Sequence, residues 1–287
     1  MKERKPSEMV LKAFLCRCSP EKKEHLESFL PASTKQRLEK MPSFPKEKEM
    51  GKGISLEQIH WSWFIPTLKT YSAREQKLFL SALSPQVREN LSQELGFNSP
   101  PKEELKNLGA SFLKQTLLTS LIGHRSRIVP PDYLPVSPLK PLLRLTKKKL
   151  IRLIDFLSLY DLAAELRQIV ETKILKKIYS LLSEQQKKFL KIAMTHKEPY
   201  PLPRLKLDKW DGTEDSLHLL LHKRGLARLG AALSTQDPDL VWYICHQLDI
   251  GRGNALLKLC AKEAALDVSD GIIRQIEELL NNKELFL

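Results

Sequence analysis

Apolar residues recur every three or four positions along most of the chain, and this spacing is typical of amphipathic α-helices. The pattern is clear after Pro100-Pro101, where a proline pair can open a helix that Gly123 can close. The apolar positions of this segment lie close to one stripe of a helix: Leu105, Leu108, Phe112, Leu117 and Leu121. The spacing therefore predicts a long helix that ends at Gly123.

Helix-start signals punctuate the rest of the sequence at short intervals. Ser72-x-x-Glu75 and Ser183-x-x-Gln186 have the form of a capping box, whose side chains satisfy free amides of the first turn. Ser84-Pro85 and Asp237-Pro238 place a capping residue before a proline at the first helical position. Further helices are predicted to start at Ser55, Thr146 and Asp161, and to lie in 213–222, 224–234, 253–266 and 269–282.

Composition and proline spacing extend this prediction to the whole chain. Glycine provides 11 of the 287 residues, well below the average usage of about 7%, which disfavours a turn-rich β protein. Prolines concentrate in residues 124–145, where they exclude a regular helix. We predict an all-α fold, an array of many short helices in two or three subdomains joined by Pro-rich connectors. The predicted parts are a basic N-terminal helical arm and linker (1–53), a helical subdomain (54–123), a Pro-rich connector (124–145) and a C-terminal helical subdomain (146–287).

The sequence indicates a protein of a reducing, cytoplasmic environment. No run of 18 or more uncharged apolar residues is present, so no transmembrane helix is predicted. The apolar stretch Met9 to Cys16 is short, contains Lys12 and lacks the small-residue cleavage site of a secretory signal. The four cysteines do not form the pattern of a disulfide framework.

The net charge of +13 is unevenly distributed. Residues 100–153 hold eleven Lys and Arg against three acids, whereas residues 208–287 hold nine against thirteen. The densest basic cluster consists of Arg144, Lys147, Lys148, Lys149 and Arg152. It is either a solvated helix start or a contact surface for a protein or a membrane. Residues 140–153 lack the interleaved aromatic residues that would favour nucleic-acid binding.

The motifs that resemble chemical sites are incomplete. His218 and His222 share one helix face, but no Glu lies between them as in hydrolytic zinc sites, and we interpret both as helix-surface residues. Gly51-Lys-Gly53 and Gly251-Arg-Gly253 complete no phosphate-binding loop. The second is interpreted as a helix C-cap followed by a turn. We predict no catalytic, cofactor-binding or metal-binding residue and no enzymatic activity.

Two features leave alternatives open. Trp61 and Trp63 are two positions apart and cannot share a helix face, so Trp61 is either a core residue or an anchor for a partner. The segments 81–86 (SALSPQ) and 180–185 (SLLSEQ) are similar, either through convergent capping chemistry or through duplication of a helical module.

Several segments carry a family resemblance. The L-S-[PE]-Q helix openings, the Trp-containing segment Ile59–Trp63, the Pro-rich hinge and the segment Gly225–Gly230 (GLARLG) are spread over about residues 55–265. Together they resemble cytosolic components of bacterial type III secretion machines. The match is to the K-type sorting-platform accessory protein, with a looser similarity to the flagellar motor switch protein FliG. The Glu-His-Pro-Gln motif of FliG is absent, so no rotor function is carried over.

The resemblance implies a non-catalytic adaptor that joins the membrane ring to the cytosolic sorting platform. Its expected partners are other secretion-apparatus proteins, namely the cytosolic domain of the inner-membrane ring and the platform protein. The chain would then be cytoplasmic and held at the inner membrane through these partners. Trp61 and the basic cluster are the candidate partner-binding residues. The alternative is a basic helical protein that binds nucleic acid.

Overall fold

The computed structural model describes residues 6–41, 56–101, 105–123, 128–195, 205, 207, 210–262 and 264–282. These residues form fourteen α-helices and no strand, which confirms the predicted all-α fold of many short helices. The helices are α1 (Pro6–Arg17), α2 (Pro20–Ser28), α3 (Ala32–Glu39), α4 (Ile65–Leu68), α5 (Ala73–Ala82), α6 (Pro85–Glu94), α7 (Asn107–Ile122), α8 (Lys147–Leu166), α9 (Thr172–Leu181), α10 (Glu184–Thr195), α11 (Glu214–Leu233), α12 (Pro238–Gln247), α13 (Ile250–Cys260) and α14 (Leu266–Asn281). Four short 3₁₀ helices lie at Leu56–Gln58, Trp61–Phe64, Pro131–Tyr133 and Lys140–Arg144.

Several of the predicted caps form, but the Ser84 side chain, at the N-cap position of α6, makes no capping hydrogen bond. Ser72 and Glu75 make a complete capping box at the start of α5. Ser183 and Gln186 exchange hydrogen bonds at the start of α10, with the Gln186 side chain accepting from the Ser183 amide at 2.9 Å. Gly123 follows α7 with a φ of 60°, a conformation that L side chains rarely adopt. These ends therefore depend on residues within one helical turn of each other.

Two helices are longer than the sequence signals predicted. The start predicted at Asp161 is wrong, because α8 continues through this residue to Leu166. Asp161 is buried and pairs with Arg228, so its side chain takes part in helix packing and caps no helix. The segments predicted at 213–222 and 224–234 likewise form one helix, α11.

Three further local predictions differ from the structure. Residues 56–64 form two 3₁₀ turns instead of a helix, and the His60 amide donates to the His246 carbonyl, outside its own segment. The helix predicted from Pro101 begins at Asn107, and residues 102–104 lie outside the described part. Gly251-Arg-Gly253 lies in the first turn of α13 and is not a C-cap.

The chain divides into two compact units, and their boundaries differ from the predicted ones. Unit 1 contains Met1–Val136 together with Asp237–Gly251, and unit 2 contains Ser137–Gln236 together with Arg252–Leu287. Residues 237–251, predicted to belong to the C-terminal subdomain, are therefore part of unit 1. The predicted linker at 41–53 falls almost entirely outside the described residues.

Long-range contacts of α12 explain its place in unit 1. The Asp239 carboxylate accepts a hydrogen bond from the Val129 amide at 3.1 Å, and the Tyr243 hydroxyl donates to the Val129 carbonyl at 3.0 Å. Both backbone groups of Val129 are thus satisfied by one helix. The Trp63 indole N–H donates to the Leu248 carbonyl at 2.8 Å. These bonds join α12 and the following residue, Leu248, to segments more than 100 residues earlier in the sequence.

Unit 2 is organised around α8, which runs parallel to α11. Asp155 contacts His222, and Asp161, which lies further along α8, contacts Arg228. Both contacts join residues that are 67 positions apart in the sequence. A constant separation means that the two helices run in the same direction. Gly225 permits their close approach, since a Cβ there would lie 1.8 Å from the Ile154 carbonyl oxygen.

Helix α10 runs parallel to α8 on another side. Arg152 bonds the Gln185 side chain, and the rings of Phe156 and Phe189 lie 5.5 Å apart, so both contacts join residues 33 positions apart. The N-termini of α8, α10 and α11 therefore point in one direction within unit 2.

Candidate binding surface at the start of helix α8

The basic cluster predicted from the sequence lies around the first turns of α8. The 3₁₀ helix Lys140–Arg144 leads into Thr146, whose hydroxyl accepts a hydrogen bond from the Lys149 amide at 3.4 Å and caps α8. The three lysines 147–149 consequently occupy the first turn of this helix. We call Arg144, Lys147, Lys148, Lys149 and Arg152 the basic end of α8.

The members of the basic end differ in exposure. Arg144, Lys148 and Lys149 are exposed, whereas Lys147 and Arg152 are half-buried. Arg152 bonds Gln185, and its guanidinium lies 5.7 Å from the centre of the Phe156 ring. Arg152 thus also joins α8 to α10, and the three exposed side chains are the most accessible to a partner.

The position of these lysines is electrostatically unfavourable for the helix. The N-terminus of an α-helix carries about half a positive charge, so anionic side chains stabilise it and cationic ones destabilise it. The first turns of α10 and α11 follow this rule with Glu184 in α10 and with Glu214 and Asp215 in α11. Helix α8 has no acid in its first turn. A local choice that conflicts with helix stability is a mark of a functional position.

Helix α10 contributes lysines that the sequence analysis missed. Because Arg152 bonds Gln185, the first turns of α10 lie beside the basic end and bring Lys187 and Lys188 close to it. Lys187 pairs with Glu184 at 2.8 Å, and Lys188 is exposed. The Lys187 ammonium is the main cause that lowers the pKa of Glu184 below its ordinary value. The separation of more than 30 residues hid this proximity from a local reading of the sequence.

Trp61 and Trp63 have different environments in unit 1. Trp63 is 9% exposed, and its ring stacks on His246 at 4.0 Å, while Trp242 stacks on the same imidazole at 3.9 Å. Trp61 is half-buried and lies 5.1 Å from the His60 ring. Trp63 is thus a core residue, and Trp61 keeps accessible surface. The predicted partner-binding residues belong to both units, with Trp61 in unit 1 and the basic end in unit 2.

The structure separates the two histidines of α11. His218 is exposed and lies 3.5 Å from Glu214. His222 is not a simple surface residue, because its Nδ1 lies 2.7 Å from Asp155 and its Nε2 accepts from Arg252 Nε at 2.9 Å. An arginine can only donate, so the imidazole proton is on Nδ1 and faces Asp155. Within the described residues, no group of three or more His, Cys, Asp or Glu side chains is placed to hold a metal ion.

A buried polar network in unit 2 was also missed by the sequence analysis. Arg228 is fully buried, donates twice to Asp161 at 3.0 and 2.9 Å, and donates to Gln275 at 2.5 Å. Arg224 lies 3.5 Å from the same carboxylate, and the Arg228 guanidinium lies 5.4 Å from the Tyr160 ring centre. The network joins α8, α11 and α14 through charged and polar side chains that are hydrogen-bonded to one another.

The fold and the surface define an all-α protein of two helical units with a basic patch at one set of helix N-termini. None of the helices in the described ranges is long and apolar enough to cross a membrane. The chain matched no family model, no curated protein and no solved structure when it was compared with each of these.

Proposed function

We propose that this chain is a non-catalytic adaptor of a type III protein secretion apparatus, joining the membrane ring to the cytosolic sorting platform. The sequence resemblance supplies the setting, and the basic end of α8 supplies a means of holding an acidic protein. Trp61 adds an accessible aromatic anchor on unit 1. The adaptor acts in the cytoplasm and reaches the membrane through its partners.

The observation that carries this proposal is the lysine triplet in the first turn of α8. Three cations at the positive end of a helix reduce its stability by about 0.3–1 kcal/mol each. A bound carboxylate surface would reverse this penalty, because it would neutralise the lysines and interact favourably with the helix dipole. An acidic protein surface therefore fits the site electrostatically.

A charge-reversal experiment tests the proposal. The variant Lys147→Glu, Lys148→Glu, Lys149→Glu is expressed as a tagged full-length chain in the native host, and co-purifying proteins are identified by mass spectrometry. We expect the wild type to recover ring and platform proteins and the variant to lose them. Glutamates in the first turn favour the helix, so the variant should keep its fold, as measured by circular dichroism and thermal unfolding.

The matched control is Lys22→Glu, Lys40→Glu, Lys69→Glu, which changes the net charge equally at exposed positions of unit 1. This control should retain the partners. Recovery of proteins unrelated to secretion by the wild type would overturn the adaptor function. Equal recovery by the α8 variant and the control would remove the basic end from the interface.

Nucleic-acid binding is the second candidate, and the lysines of α10 beside the basic end favour it. With phosphate contacts alone, affinity for random-sequence duplex or single strands should fall by about 1,000-fold or more between 50 and 200 mM salt. Capture of a protein partner that also buries Trp61 should fall much less, because apolar burial is not screened by ions. Sequence-selective binding that survives 200 mM salt would favour this candidate over the adaptor.

A further inference from the structure

A second set of exposed lysines begins on α9, on residues that the adaptor function does not use. Lys173, Lys176 and Lys177 are exposed and follow the i, i+3, i+4 spacing of one helix face. The opposite face of α9 contains Ile178, which is fully buried. Helix α9 is therefore amphipathic, with its lysines turned to solvent.

Helix α10 follows α9 after the two-residue connection Leu182-Ser183 and contains further exposed lysines. Lys188 and Lys191 are exposed, and Ile192, next to Lys191, is 55% exposed. Residues 171–195 contain six lysines, two glutamates and no arginine. One glutamate, Glu184, is already paired with Lys187. We call the five exposed lysines at 173, 176, 177, 188 and 191 the lysine face.

Exposed aliphatic side chains accompany the lysine face. Val170, just before α9, is 95% exposed. Arg167 donates to the carbonyls of Ala193 and Met194 at 2.9 Å, which holds the end of α8 against the last turn of α10. Val170 and Ile192 therefore both lie near the place where the end of α8 meets the last turn of α10. A cationic surface with accessible aliphatic groups can attract anionic headgroups and insert apolar groups between them.

We propose that the lysine face binds the anionic phospholipid surface of a membrane. Lysine ammonium groups attract phosphate as point charges and need no fixed geometry. Sequence-reading nucleic-acid surfaces instead use arginine forks, and single-strand surfaces use exposed aromatic platforms. The aromatic rings beside these lysines are held by the protein: Trp210 is half-buried under Lys177 at 5.7 Å with its indole N–H bonded to Thr213 and Ser216. Tyr179 is half-buried, and its hydroxyl donates to the Met194 sulfur at 3.1 Å.

Vesicle flotation of the full-length chain tests this proposal. Vesicles of phosphatidylcholine alone are compared with vesicles containing about 30% phosphatidylglycerol, at 100 and 500 mM salt. The face variant is Lys173→Glu, Lys176→Glu, Lys191→Glu, which leaves Lys177 in place over Trp210 and Lys188 in place beside the basic end. The control is again Lys22→Glu, Lys40→Glu, Lys69→Glu, which has the same net charge.

We expect binding to the anionic vesicles, none to the neutral vesicles, and a loss of about 100-fold or more in the face variant. The control should retain most of the binding. Removing the aliphatic groups with Val170→Ser and Ile192→Ser should leave binding at 100 mM salt largely intact but abolish the fraction that survives 500 mM salt.

Three results would overturn the proposal. They are equal binding to neutral and anionic vesicles, an equal loss in the control, and absence of vesicle binding at 100 mM salt. If vesicles fail but random-sequence nucleic acid binds through the same lysines, the lysine face is a nucleic-acid surface. The adaptor proposal stands or falls separately, because its test uses the lysines of α8 and a protein readout.

Discussion

Arg228 and Asp161 form a bidentate ion pair in which the arginine side chain is completely buried. Removing one partner leaves the other as an uncompensated charge in the interior. Single variants Arg228→Met and Asp161→Leu should each lose about 3–5 kcal/mol of unfolding free energy. Urea unfolding of the two single variants and the double variant measures this. The double variant places two apolar side chains against each other, so it should lose less unfolding free energy than the sum of the two single losses. A loss equal to that sum would show that the two residues do not interact.

Gly225 and Gly109 make a matched pair of glycine positions. A Cβ at Gly225 would lie 1.8 Å from the Ile154 carbonyl oxygen, whereas a Cβ at Gly109 would meet nothing within 4 Å. Gly225→Ala should therefore lower the melting temperature, because α8 and α11 must separate. Gly109→Ala should raise or preserve it, since alanine favours a helix by up to about 1 kcal/mol. A stabilising Gly225→Ala substitution would contradict the close approach of the two helices.

Substitutions of Trp63 and Trp61 should have different effects on stability and on partner binding. Trp63→Ala removes a buried ring and its bond to Leu248, and we expect a loss of about 3–5 kcal/mol in unfolding free energy. Trp61→Ala should cost much less, because the ring is half-buried. If Trp61 anchors a partner, its variant remains folded in chemical unfolding but shows weaker partner capture. Unchanged capture would leave Trp61 as a packing residue of unit 1.

Tyr243 should make the unfolding free energy of unit 1 depend on pH in the alkaline range. Burial raises the pKa of its hydroxyl above the ordinary value near 10, and the carboxylates of Asp239 and Asp132 raise it further. Above pH 10 the unfolded chain releases the tyrosine proton while the folded chain retains it. The unfolding free energy should therefore fall with rising pH in this range.

The variant Tyr243→Phe removes the titrating group and the bond to the Val129 carbonyl. It should be less stable than the wild type by about 1 kcal/mol at pH 7. Its stability should decline less steeply above pH 10, measured by unfolding at a series of pH values. Parallel declines for both chains would show that Tyr243 is not responsible.

A two-residue Leu-Ser connection between consecutive helices occurs in both units. Helices α5 and α6 are joined by Leu83-Ser84, and α9 and α10 by Leu182-Ser183. These connections were visible in the sequence as the similar segments 81–86 and 180–185. Ser183 accepts a hydrogen bond from the Gln186 amide, whereas Ser84 occupies the N-cap position without a side-chain capping bond. The preference of serine for this position is local, so the start of each helix can be predicted without knowledge of the fold.

The lengths of the helices were harder to predict, because contacts with other helices decide whether a helix continues. Asp161 has the chemistry of a cap, and the sequence offered no sign that Arg228 would neutralise it inside the protein. The segments 213–222 and 224–234 were similarly predicted as separate helices, whereas they form one helix, α11, in which Gly225 packs against Ile154. Intrinsic preferences at these positions are small compared with the free energy of burying a helix face.

The sequence by itself determined that this protein is helical, where most of its helices begin, and that a basic cluster lies at the start of α8. These features depend on residues within one or two turns of each other. Tertiary structure alone decided that α12 belongs to unit 1, that His222 lies between Asp155 and Arg252, and that α10 brings lysines beside the basic end. Each of these depends on contacts between residues at least 30 positions apart. Such contacts are selected by the packing of the whole unit, which no local pattern of side chains specifies.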